Sequence, residues 1–169
     1  MRWKTHKVIT GFIVFTYSKE VIATISAILG SVFPDAIEFL VYGRKIPLWK
    51  HRTLFHWLFL YALILVLIFL NTPYGVLRAT CINLRIHPGT IGRVPIRILG
   101  SYLIFWFVIG AMLHILEDAI TGKVPRPYSF NYKRKDWGIE LFRTGSVIEW
   151  IIFVVFSILF VLSVYWRFR

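Results

Sequence analysis

Histidines and acids lie beside the apolar segments of this chain, where such residues are uncommon. The clearest case is GAMLHILEDAITG, residues 110–122, in which His114 and Asp118 are four positions apart. On a helix this spacing puts both side chains on one face, about 5–6 Å apart at Cβ. Imidazole nitrogen and carboxylate oxygen, without a thiolate, are ligands that suit zinc, manganese or iron. The pair therefore predicts part of a metal site.

Other residues of the same types lie at the ends of other apolar segments. Ionisable groups in such places are unfavourable unless they are paired, solvated or bound to something. A lone residue has simpler explanations: Asp35 after Pro34 suits a helix cap, and Glu149 suits the first turn of a helix. Taken together, the candidate metal ligands are His6, Asp35, His51, His56, His114, Asp118 and Glu149. They exceed one tetrahedral site, so we expect two or even three divalent ions, most simply zinc. Glu117 receives no role, and His87 is left out.

The composition is that of an integral membrane protein. Hydrophobic residues make up 57% of the 169 residues, above the roughly 45–50% of a soluble domain, and the mean hydropathy is +0.68. Three apolar runs approach the roughly 20 residues that cross a bilayer; they are Leu54–Leu70, Ile98–Ile115 and Val147–Trp166. We expect an all-α membrane bundle of about three full spans plus an N-terminal helical hairpin, as one domain over residues 1–169.

One up-and-down topology of these segments brings the histidines and acids together at one face of the membrane. If 5–17 enters the membrane and 21–35 returns, His6 and Asp35 meet at one face, and the loop 42–53 delivers His51 and His56 there. The run 54–70 crosses, 71–97 is a loop on the far side, and the next span returns with His114 and Asp118. Glu149 then opens the last span on the same face. This topology predicts a metal site at one membrane face.

The charge distribution suggests how the protein is oriented and what it contacts. The formal net charge is +12, which in a membrane protein indicates orientation or contact with anionic lipid head groups rather than nucleic acid as the main partner. More Lys and Arg residues fall on the site face than on the far face, so the positive-inside rule predicts a cytoplasmic site in the inner membrane. Arg52 is the best candidate for holding a phosphate. Cys81 is the sole cysteine, which excludes an intramolecular disulfide framework.

Five motifs resemble those of a known family. They are THKVITG (5–11), FPDAIEF (33–39), HRTLFHW (51–57), GAMLHILEDAITGKVPRPYSF (110–130) and FRTGSVIEW (142–150). In this order they are similar to the YdjM-like family of membrane-bound, predicted metal-dependent hydrolases. Two positions depart from its pattern: Glu38 stands where Asp is usual, and Phe55 where Thr is usual.

The resemblance implies a hydrolase. The ligand order is also distantly similar to that of zinc-dependent phospholipase C and the P1-type nucleases, which implies that Asp118 bridges two ions and that Asp35 also orients or deprotonates the attacking water. The candidate catalytic residues are Asp35, Glu38 and Arg52. We expect a metal-activated water that cleaves a phosphoester or ester of a lipid-type substrate at the membrane surface.

Two other functions remain open. A metal or proton transporter would carry ionisable residues near the midplane of several spans, whereas the centres of 58–70 and 151–164 are purely apolar. A non-catalytic membrane protein with a bound metal would bind zinc and hydrolyse nothing.

Overall fold

The computed structural model describes residues 1–43, 52–71, 96–128 and 133–169, and these are mostly helical. The all-α prediction is confirmed. The helices are α1 (Trp3–Ser18), α2 (Val21–Gly30), α3 (Phe33–Tyr42), α4 (Leu58–Asn71), α5 (Ile96–Thr121) and α6 (Val147–Phe168). A short 3-10 turn, Leu54–His56, precedes α4. Strands β1 (Val124–Pro125) and β2 (Lys135–Trp137) pair antiparallel in the segment between α5 and α6.

Three helical segments among the described residues are long and apolar enough to cross a membrane. They are Val21–Tyr42, Ile98–Thr121 and Val147–Phe168. The segment predicted as the span 54–70 instead contains a helix of 14 residues, Leu58–Asn71. It is shorter because residues 54–56 form the 3-10 turn that carries His56, and Trp57 after them is extended.

A helix break places Asp35. The stretch 21–42 is interrupted at Ser31 and Val32, between the end of α2 and the start of α3. Pro34 lies in the first turn of α3; it has no N–H to donate and its ring would clash with the carbonyl four residues earlier, so α2 does not continue through it. Asp35 therefore lies in the first turn of a new helix.

Two glycines bring α2 and α5 into backbone contact. A Cβ at Gly110 would lie 1.9 Å from the carbonyl oxygen of Ala27, and one at Gly30 would lie 1.9 Å from that of Phe107. Only glycine permits this approach. The buried core of this pair contains Ala23, Ala27, Tyr102 and Trp106, with Val14 of α1. The contact positions α5, the helix that carries His114 and Asp118.

The remaining elements pack around the C-terminal half of α5. Tyr61 of α4 joins Ala111 and Ile115 of α5 in a second buried cluster. The end of α5 is capped by the segment after β2, because the amides of Ile139 and Leu141 donate to carbonyls of its last turn. Helix α6 packs mainly against α1.

Candidate metal centre

Four side chains from three parts of the chain converge at the centre of the site. The ligand atoms of Asp35, His56, His114 and Asp118 all lie within 4.8 Å of one another. His56 Nε2 lies 3.2 Å from Asp35 Oδ1 and 3.4 Å from Asp118 Oδ2, and 3.1 Å from His114 Nε2. The three ligands His56, His114 and Asp118 are buried. Two imidazoles and two carboxylates form a donor set that suits zinc.

A carboxylate orients His56 from behind. Glu38 is fully buried, and its Oε1 lies 3.0 Å from His56 Nδ1, so the ring N–H there donates and Nε2 is left facing the centre. Glu38 also accepts from the backbone amides of Arg52 and Thr53. A ligating histidine commonly donates its other ring nitrogen to a carboxylate in this way, which fixes the tautomer and ring orientation.

His6 repeats this arrangement on the other side of the centre. Its Nδ1 lies 2.6 Å from Glu117 Oε2, and Thr10 Oγ1 donates to the other oxygen of Glu117. Its Nε2 faces inward, 3.4 Å from Asp118 Oδ1. The His6 ring also lies against that of His114, with 4.0 Å between centroids. Helix α1 thereby contributes a fifth potential ligand.

Arg52 is held beside the centre in an unusual backbone conformation. Its φ is 57°, in the left-handed region that non-glycine residues seldom adopt, and the Glu38 carboxylate accepts from its amide. Its Nη2 donates to Asp118 Oδ1 at 2.9 Å. Gly122 makes room for the guanidinium, because a Cβ there would lie 2.2 Å from Arg52 Nη1. Such strain is retained where the surrounding contacts hold the residue in place.

The buried charges favour a cation. Asp35, Glu38, Glu117 and Asp118 meet around the centre. Arg52 and the Met1 amino group, which lies 2.7 Å from Asp118 Oδ1, both pair with Asp118. Asp35 Oδ1 and His6 Nε2 are buried and have no hydrogen-bond partner within the described part of the chain. Buried polar atoms without partners are unfavourable, and a divalent ion bound to them would remove that cost. The residues therefore fit a metal.

A proton and a metal ion would compete for the Nε2 atom of His56. Burial lowers its pKa, but the neighbouring carboxylates of Asp118, Asp35 and Glu38 outweigh this and raise the pKa to about 10. The raised pKa favours the protonated ring in the folded protein. The stability that this charge contributes is complete below the pKa of the unfolded state and is lost as the pH rises through the pKa of the folded state. A metal bound at Nε2 must displace that proton.

Comparison with known proteins identifies the family. The family model described as YdjM inner membrane protein matches residues 1–169, the whole chain. The chain belongs to this family. No curated protein and no solved structure matches it. The predicted resemblance is therefore confirmed as to the YdjM family, and the family description agrees with three candidate membrane spans.

In this YdjM-family chain most of the predicted ligands lie in or beside one cluster. Asp35, His56, His114 and Asp118 form the central cluster, and His6 adjoins it through Asp118. Glu149 lies in the first turn of α6, where its carboxylate accepts from the amides of Arg2 and Gly145 and from Thr5 Oγ1. Its role as a ligand stays a prediction. His51 lies outside the described residues.

Sequence reasoning gave Glu117 no role, although it lies in the site. It follows His114 by three positions and precedes Asp118 directly, so all three share one part of α5. Its partner, His6, is more than a hundred positions away. The one available signal was an acid in an apolar helix, which requires a partner.

Proposed function

We propose that this chain is a membrane-bound, metal-dependent hydrolase that cleaves a phosphoester or ester bond of a lipid-type substrate. The observation that carries the proposal is the convergence of Asp35, His56, His114 and Asp118 beside the Arg52 guanidinium. These residues would hold a zinc ion, which would lower the pKa of a bound water towards neutrality and polarise the scissile group. Zinc is our preferred metal, manganese and iron are alternatives, and His6 permits a second ion.

The residues divide the remaining work between holding the site and handling protons and charge. Glu38 and Glu117 fix the orientations of His56 and His6. Asp35 is the most exposed carboxylate of the cluster, with 12% of its side chain accessible, so it is suited to accept the proton of the attacking water. Arg52 faces the same region with 14% of its side chain exposed.

Arg52 is the residue that we assign to the substrate anion. Its Nη2 contacts Asp118, whereas its Nε is buried and has no partner within the described residues. Lys135 of β2 lies close enough to Glu38 and Arg52 for electrostatic interaction. Two cations beside a metal can stabilise the negative charge that develops on a phosphoryl group.

Substitution of Arg52 tests this function. We expect Arg52→Lys to lower kcat/KM by about tenfold or more, because a lysine keeps the charge and loses the planar fork that binds phosphate oxygens. Zinc-loaded protein would be assayed on phosphatidylglycerol vesicles and on a soluble nitrophenyl phosphodiester, with zinc content measured in parallel. Arg126→Lys, at an exposed ion pair with Asp136, is the matched control. Zinc-loaded protein without activity on phosphodiester or ester substrates would contradict the proposal.

A second candidate is a metal site without catalysis, which the burial of the ligands favours. His56 and His114 have no exposed side-chain surface and Asp118 has 2%. Structural zinc sites are closed by four protein ligands, whereas catalytic sites keep one position open. The role of Asp35 distinguishes the two kinds of site, because a closed structural site would use Asp35 as its fourth ligand. Bound zinc together with no hydrolysis would support this alternative.

We also propose that the site faces the cytoplasm of a cell with an inner membrane. The support is the excess of basic residues in the segments on the site side. In a Cys81→Ser chain, Lys133→Cys places a thiol at an exposed position just before β2. We expect a membrane-impermeant maleimide to label it only after the inner membrane is opened. Labelling of intact spheroplasts would show that the site faces the opposite side of the membrane.

A further inference from the structure

An apolar cavity of about 350 Å³ lies between α1, α5 and α6. Each helix contributes side chains at helical spacing, so the cavity runs along all three. Its walls include Ile9 and Ile13 of α1, Leu113 and Leu116 of α5, and Ile152 and Phe156 of α6. Water would find no hydrogen-bond partners along these walls, so an apolar occupant is indicated.

The cavity lies beside the metal centre and is separated from it by two residues. Glu117 and Met1 belong to its lining. Glu117 contacts His6 Nδ1 at 2.6 Å, and the Met1 amino group contacts Asp118 Oδ1 at 2.7 Å. The apolar walls therefore end at residues that touch the ligand set.

The side of the cavity is accessible from the bilayer. Ile13 and Leu116 are 39% and 41% exposed, and two of the three helices are candidate spans. A hydrocarbon chain that enters here exchanges lipid for apolar side chains and never crosses water. Such an exchange adds little affinity, so the cavity would select the position of the chain, while the residues of the neighbouring metal centre would recognise the head group.

We propose that this cavity holds one acyl chain of a membrane phospholipid whose head group lies at the metal centre. The proposal rests on the proposed function and specifies its substrate class as a diacyl phospholipid. A second apolar cavity of about 350 Å³ lies between α2 and α5, lined by Ile25, Leu29, Ile104 and Phe107 among others. No residue of the metal centre lines it, so it provides a matched control.

The test is photo-crosslinking with a phosphatidylglycerol that carries a diazirine in its acyl chain, in phosphatidylethanolamine vesicles. In the full-length protein we expect cross-links concentrated at Ile13 and Phe156. Ile152→Trp fills the cavity and should reduce them about tenfold, the discrimination that a small misfit in an apolar pocket supplies. Ile104→Trp fills the control cavity and should leave them unchanged. An unfolding midpoint in detergent close to that of the unsubstituted protein shows that both variants are folded.

The results separate the cavity from the reaction, because cross-linking requires no turnover. Equal labelling in Ile152→Trp and Ile104→Trp, or labelling spread evenly over α6, would overturn the lipid cavity even for an active hydrolase. Cavity labelling that depends on Ile152, in a protein that hydrolyses no phospholipid, would support the chain-binding site and contradict the proposed function.

Discussion

Replacing Asp118 by asparagine is expected to remove most of the bound metal. Oδ2 of Asp118 lies 3.4 Å from His56 Nε2 and 3.6 Å from His114 Nε2, so its loss takes one ligand and one negative charge from the cluster. Loss of a residue that only hydrogen-bonds to a ligand commonly weakens metal binding by about 10–100-fold. Loss of a ligand itself should therefore reach or exceed the upper end of this range. Elemental analysis of the purified protein and a zinc titration would measure the change.

The control for this prediction is Asp136→Asn. Asp136 of β2 pairs with Arg126 and Arg134. Its substitution removes a carboxylate that does not belong to the cluster and should leave the zinc content unchanged. His114→Ala, which removes a different ligand from the same helix, should behave like Asp118→Asn. If both ligand variants retain as much metal as the unsubstituted protein, the site as described here does not bind it.

Substitution of Gly110 by alanine is the second prediction with a large effect. A Cβ at this position would lie 1.9 Å from the Ala27 carbonyl oxygen, so α2 and α5 must separate. Overpacking of this kind destabilises a protein by about 1–3 kcal/mol, and by more where backbone atoms block the added group. We expect a lower unfolding midpoint in detergent and reduced zinc content, because α5 carries two ligands.

Gly100→Ala is the matched control on the same helix. No atom of the described residues lies within 4 Å of a Cβ at Gly100, and alanine favours a helix interior by up to about 1 kcal/mol over glycine. Its unfolding midpoint should therefore stay equal or rise. A Gly110→Ala protein as stable as the Gly100→Ala protein would contradict the close approach of α2 and α5.

The pattern of the sequence predicts those features that depend on local spacing. Long apolar runs predict membrane helices, and His114 with Asp118 at four positions apart predicts a shared helix face. The four clustered residues were all among those that the sequence selected, because acids and histidines beside apolar segments need partners; their role as metal ligands stays a prediction.

Features that depend on distant contacts could not be predicted. The partner of Glu117 is His6, in another helix, and no spacing along the chain indicates that pair. Gly30 and Gly110 are ordinary glycines in the sequence, and their importance comes from the carbonyl groups of Phe107 and Ala27. Hydropathy predicted a full span over 54–70, but the helix begins only after the 3-10 turn at 54–56. Hydropathy could not show this, because it carries no information on the backbone conformation.

The order in which the ligands are synthesised has a consequence for assembly of the protein in the membrane. Residues 6, 35, 56, 114 and 118 come from five positions spread over two thirds of the chain, so the metal centre is complete only once α5 has been inserted and packed on α2. A ligand that binds the assembled state alone stabilises it in proportion to its concentration. A zinc ion bound as we propose would thus favour correctly packed molecules over misassembled ones during biogenesis.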